Sequence, residues 1–138
     1  MSNVQQLPIG VFDSGVGGLS VLKVLQEQFP NEDFIYIGDN ANNPVGNRSD
    51  DEITYLACHI AEALEKQPVK LMVIACNTFT VVALDAVRER VSVPVIGVSQ
   101  GVKTAISQSK SKTIGIMATV STVNSHIHKH VALEVDHE

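Results

Sequence analysis

The 138-residue sequence has no tryptophan, 4% aromatic residues and two cysteines, and 18% of its residues are charged. With so few rings, the core falls to Val, Ile, Leu and Ala. Two thiols, Cys58 and Cys76, are too few for the framework of a disulfide-stapled scaffold, and both are read as reduced. No Lys/Arg-rich run occurs, and 10 basic residues stand against 15 acidic ones for a net charge of −5. That balance removes the electrostatic footprint of a protein that grips nucleic acid or an anionic membrane through its surface. No apolar stretch approaches the roughly 20 residues that span a bilayer, and the start MSNVQQLP lacks the basic and apolar regions of a signal peptide. The expectation is a cytoplasmic protein without nucleic-acid or membrane partners. Internal repeats and low-complexity tracts are missing too. What is present, 44% hydrophobic residues, suits one globular domain or part of a larger one.

Short β-branched runs recur along the chain at Ile9–Phe12, Phe34–Ile37, Leu71–Ala75, Val93–Val98 and Thr113–Met117, separated by segments of helical spacing. Leu19, Leu22, Leu25 and Phe29 form one apolar stripe, closed by Pro30 and Asn31, and predict a helix over residues 18–29. Ser49 and Glu52 have capping-box spacing, and Asp50 and Asp51 sit where a helix dipole favours anions. Together with the buried face of Ile53, Leu56, Ala57, Ile60, Ala61 and Leu64, they predict a helix over 50–66. A third helix is predicted from about Thr80 to Arg90, burying Val81, Leu84, Val87 and Val91. The alternation implies a doubly wound α/β fold: five parallel strands, helices on both faces, and ligands bound beyond the carboxyl ends of the strands. Residues 99–112 are more polar, so the chain divides into a lobe over 1–98 and the start of a second over 99–138.

Chemistry is therefore sought in the loops that follow the strands. The first strand runs into Asp13-Ser14-Gly15-Val16-Gly17-Gly18, and a glycine loop entering a helix offers free N–H groups and a positive dipole end to an anion. It is neither a dinucleotide fingerprint nor a P-loop, since Ser20 stands where the third glycine belongs and the P-loop lysine is absent. A tight structural turn is the competing reading, and the carboxylate of Asp13 favours the site. The second strand leads into a loop rich in turn formers, where backbone amides around Val45 and Gly46 are candidate donors; an ordered loop with no ligand is equally compatible. The third strand ends in Cys76-Asn77-Thr78, a thiol meeting a helix N-terminus, an arrangement that generally favours thiolate. The alternative there is a packed core thiol. Cys58 falls mid-helix and is read as packing. His126 and His130 have the i,i+4 spacing of helical metal ligands, but without a carboxylate or thiol in the pattern they are read, with His128, as solvated surface.

Taken together, the segments IGVFDSGVGGLSVL, IYIGDNANNPVGNRS, VIACNTFT and PVIGV closely resemble the amino-terminal half of the glutamate racemases, in the cofactor-independent aspartate/glutamate racemase superfamily. The resemblance implies an active site between two α/β lobes, with two cysteines as base and acid, making D-glutamate for peptidoglycan. It makes Cys76 the first catalytic cysteine and Asp13 and Ser14 supports for substrate binding and proton transfer. Asn77 and Thr78 become binders of the substrate's carboxylate or amine. Pro44, Val45 and Gly46 correspond to a backbone-donor segment, and Thr119 and Thr122 to a threonine loop after the fifth strand. The family usually carries Tyr in the place of Val45, so an aromatic hydroxyl is expected to be missing from the pocket wall. Its second catalytic cysteine belongs to a Gly-Cys-Thr-His segment that this sequence lacks.

Racemisation removes the α-proton from one face of an amino acid and returns a proton to the other, so two groups must flank the carbon. One cysteine cannot occupy both sides. Three readings follow: a truncated racemase portion; a homodimer in which each Cys76 supplies one face of a shared pocket; or a non-catalytic module binding a small carboxylate through Asp13, Ser14, Asn77 and Thr78. Glutamate is the expected substrate and aspartate the alternative. No metal, pyridoxal phosphate or nucleotide is implied, because the resemblance assigns the proton transfers to a thiol pair.

Overall fold

The structure, a computed structural model, describes residues 4–98 and 101–135. The lobe boundary drawn at residue 99 lies outside the described residues. After a short 3-10 turn at Val4–Gln6, the chain alternates β1 (Ile9–Asp13), α1 (Leu19–Gln28), β2 (Phe34–Gly38), α2 (Asp50–Glu65), β3 (Leu71–Ile74), α3 (Asn77–Arg90) and β4 (Val95–Gly97). Three shorter helices follow, α4 (Val102–Gln108), α5 (Val120–Asn124) and α6 (Ile127–Val135).

The strands form one parallel sheet in the order β2-β1-β3-β4. Because side chains alternate across a strand, β1 sends Phe12 to one face while Ile9 and Val11 go to the other, and β3 divides Met72 and Ile74 from Val73 in the same way. The first face packs against α2 and α3 through Ile53, Ala57, Leu64, Phe79, Ala83 and Val87. The second receives Leu22 and Leu25 of α1. Phe12 and Phe79, fully buried, meet with ring centroids 6.3 Å apart. The register pairs Asp13 with Gly38 and Phe12 with Ile74. The carboxyl ends of β1, β2 and β3 are therefore level, and the loops after them open at one edge.

The α/β class and its first four strands match the sequence reading, and the capping box is formed, with Ser49 accepting from the Glu52 N–H. Three expectations need correction. Thr113–Met117 is irregular and mostly exposed, not a fifth strand. A strand persists only while its backbone groups find a ladder, and this segment pairs with none of the four. Helix α3 begins at Asn77, three residues before the expected start. Its buried stripe accordingly runs through Phe79, Ala83 and Val87, leaving Val81, Leu84 and Val91 half-buried. On α1, Leu22 and Leu25 pack on the sheet, whereas Leu19 and Phe29 are 48% and 51% exposed.

Candidate active site

Asp13 closes β1 as a buried carboxylate whose Oδ2 accepts the N–H groups of Gly15 and Gly18, each at 3.0 Å. The turn wraps back on its own first side chain, which is why glycine is needed. A Cβ at Gly18 would stand 2.6 Å from the Asp13 Cβ and 2.9 Å from both the Ala75 Cβ and the Tyr36 hydroxyl. Tyr36, projecting from β2, donates its hydroxyl to the Gly15 carbonyl at 2.9 Å. Burial raises its phenol above the ordinary value of 10.0, and the charges of Asp13 and Cys76 act in the same direction.

Cys76 is the N-cap of α3. Its Sγ accepts the Phe79 N–H at 3.4 Å, so the sulfur occupies the place usually taken by a Ser or Asp oxygen. The thiol also lies 3.4 Å from the Ser14 hydroxyl and is 6% exposed. β1 and β3 thus bring Asp13, Ser14 and Cys76 into one cluster of carboxylate, hydroxyl and thiol at the head of a helix. Thiolate is a competent proton acceptor and thiol a competent donor, and this environment supplies polar partners to both.

A second group adjoins the first. Thr78, buried in the first turn of α3, lies with its hydroxyl 3.2 Å from that of Thr119, which in turn donates to the Thr122 hydroxyl at 3.0 Å. Thr119 caps α5 by accepting the Thr122 N–H. Gly46 runs so close that a Cβ there would be 2.5 Å from the Thr119 Cγ2, and its carbonyl accepts from Ser121 at 3.3 Å. Asn77 lines a cavity of about 300 Å³ together with Gly101, Ala105, Gly115, Met117 and His128.

The expected residues therefore fall on three adjoining features: Asp13, Ser14 and Cys76; Thr78, Thr119, Thr122 and Gly46; and Asn77 at a cavity. Pro44 is exposed after a cis Asn43–Pro44 bond. The Val45 side chain is 4% exposed and packs in the core with residues of α2 and α3. Sequence reasoning missed Tyr36 and Ser121. The signal for Tyr36 was a lone phenol among apolar strand residues; nothing in the spacing pointed to Ser121.

Cys58 is buried in the middle of α2, where burial raises its thiol pKa, Glu62 adds to the rise and Arg90 opposes it. His126 precedes α6 with φ 57°, so it does not share a helical face with His130. Among the described residues, no group of three or more His, Cys, Asp and Glu side chains is placed to hold a metal ion, and no helix is long and apolar enough to cross a membrane.

Residues 9–137 match the family model for Asp/Glu/Hydantoin racemase. The chain is similar to the glutamate racemase of Picosynechococcus sp., with 44% identity over 100% of this chain and 49% of that protein. It is also similar to that of Herpetosiphon aurantiacus, with 49% identity over 84% of this chain and 46% of the relative. Among solved structures it resembles the glutamate racemase from Aquifex pyrophilus, at TM-score 0.87 and 40% identity over 94% of this chain and 52% of that one. The Francisella tularensis glutamate racemase in complex with D-glutamate aligns at TM-score 0.83 and 39% identity, over 95% and 49% of the two chains. The chain spans about half the length of the relatives it matches.

Proposed function

The chain belongs to the Asp/Glu/Hydantoin racemase family, and from that premise we propose that it forms one side of a cofactor-independent glutamate racemase site, with Cys76 as the acid/base thiol. In this reading the Cys76 thiolate takes the α-proton from one face of glutamate, leaving a carbanion stabilised by donors to the substrate carboxylate, and the thiol can return a proton to that face. Asp13 supports the proton transfer and Ser14 positions the sulfur. Asn77, Thr78, Thr119 and Thr122 supply donors and acceptors to the amino acid, and Pro44, Val45 and Gly46 contribute backbone. The product is D-glutamate for peptidoglycan, made in the cytoplasm. Residues 1–98 form the lobe that carries the thiol and residues 99–138 begin a second lobe.

The single observation supporting this reading is the contact of Cys76 Sγ with Ser14 Oγ, 3.4 Å, at the head of α3 and next in sequence to Asp13. The opposite thiol must come from elsewhere, because Cys58 is held within α2. A second copy would supply it by two-fold symmetry, each Cys76 facing the other across a shared substrate. The test follows the optical rotation of L- or D-glutamate incubated with the protein across a range of protein concentrations. Turnover per chain that rises with concentration and vanishes in Cys76→Ala supports the paired site. Glutamate binding without turnover at any concentration would instead favour the carboxylate-binding module.

A further inference from the structure

Tyr36 takes no part in the proton transfer just described, yet its position ties it to that site. Its hydroxyl donates to the Gly15 carbonyl at 2.9 Å, and the N–H of the same residue donates to Asp13 Oδ2 at 3.0 Å. Gly15 is thus held by β2 through one backbone group and by β1 through the other. The packing leaves no slack, since a Cβ on Gly18 would come within 2.9 Å of the phenol oxygen. Ser14, the residue between Asp13 and Gly15, is the one whose hydroxyl lies 3.4 Å from Cys76 Sγ.

We propose that Tyr36 is a positioning residue of the thiol site: its hydroxyl latches the Gly15 carbonyl and so holds Ser14 Oγ against Cys76 Sγ and the Asp13 carboxylate inside the turn. The inference rests on reading Cys76 as the acid/base thiol. The titratable groups that bear on the phenol are Asp13 from β1 and Cys76 from the head of α3, and both their charges, with burial, keep the phenol protonated. A protonated phenol is a donor suited to a latch and poorly suited to act as a base at neutral pH. When Cys76 ionises, the Ser14 hydroxyl can turn to donate to the sulfur, provided the turn keeps it in place.

The experiment uses a Cys58→Ala background, which leaves one of the two thiols, and measures the rate of Cys76 alkylation by iodoacetamide from about pH 6 to about pH 10. Tyr36→Phe, which keeps the ring, is expected to slow alkylation at neutral pH about tenfold or more, the size of one hydrogen bond to a charged atom, with the rates converging at the alkaline end. Ser14→Ala is expected to do the same, and the double variant to be no slower than either single one, because both remove the same link. A Tyr36→Phe protein with an unaltered rate profile, or a double variant in which the two effects add, overturns the proposal. A second measurement needs no change at Tyr36. Only two tyrosines are present and Tyr55 is 67% exposed, so Tyr55→Phe leaves the absorbance of the Tyr36 phenolate alone to be followed. Asp13→Asn is expected to bring the Tyr36 transition down, because the Asp13 charge adds to burial in raising it, and no movement would place the phenol away from Asp13 and the turn that it is proposed to latch. Neither readout involves glutamate turnover, so failure of the latch and failure of the racemase reading are told apart.

Discussion

Asp13 has a structural duty that precedes any chemistry. Its Oδ2 is the acceptor for two N–H groups of the glycine turn, and both would be left unmet if the side chain were cut back. Asp13→Ala is therefore expected to cost about 2–4 kcal/mol in denaturant melts, as two donors lose a charged partner. Asp13→Asn, which retains an acceptor oxygen, should recover most of that loss; an alanine variant as stable as the parent would contradict the described turn. At this scale the sequence was readable where a residue type is tied to a backbone need. The glycine turn after Asp13 and the meeting of Cys76 with a helix N-terminus were both read from residue order, and both are formed. The orientation of Val45 was not so read, because loop composition does not encode which way a side chain turns, and the core between α2 and α3 had space for an aliphatic group there. Tyr36 escaped notice because its partner, Gly15, is 21 residues away in sequence.

Helix α2 shows how local signals fix an element. The Glu52 carboxylate is held below the ordinary glutamate value of 4.5, chiefly by the Ser49 N–H and then by the Ser49 hydroxyl, with Arg48 adding a little. At the other end of the helix Glu65 is lowered by the N–H and hydroxyl of Ser92. Both folded values are depressed, so the stabilisation is complete above the unfolded value near 4.5 and is lost as the pH falls below it toward the folded values. The melting temperature of the parent should drop more between about pH 7 and about pH 3 than that of Glu52→Gln/Glu65→Gln; equal drops would remove both contacts from the account. Ser49→Ala should cost about 1 kcal/mol at neutral pH, measured in the same melts. Every part of this cap lies within four residues, which is why the sequence revealed it. The start of α3 was less legible because a cysteine sulfur is an unusual N-cap, and Asn77-Thr78-Phe79 reads as loop when the cap goes unrecognised. The fifth strand failed for the opposite reason: Thr113–Met117 has the composition of a strand, but strand identity depends on a neighbour that composition cannot supply.

Across the whole molecule, the parallel register is what makes a site out of separated residues. It levels the ends of β1, β2 and β3, bringing Ser14 to Cys76 across 62 positions, while α5 returns to set Thr119 on Thr78 across 41 and Ser121 on Gly46 across 75. The alternation of strands and helices made the first of these meetings foreseeable, since a parallel α/β sheet gathers its post-strand loops at one edge. The return of α5 depends on packing that no local pattern carries. The central claim, that Cys76 moves the α-proton of glutamate, can be tested even where a single thiol works alone. In D₂O, a thiol that removes the α-proton and returns a deuteron to the same face exchanges that position without inverting it. Proton NMR of glutamate incubated with the protein should show loss of the α-proton signal from one enantiomer, unaffected by Cys58→Ala and abolished by Cys76→Ala. Glutamate that keeps its α-proton with the parent protein, or exchange that survives Cys76→Ala, would contradict the account.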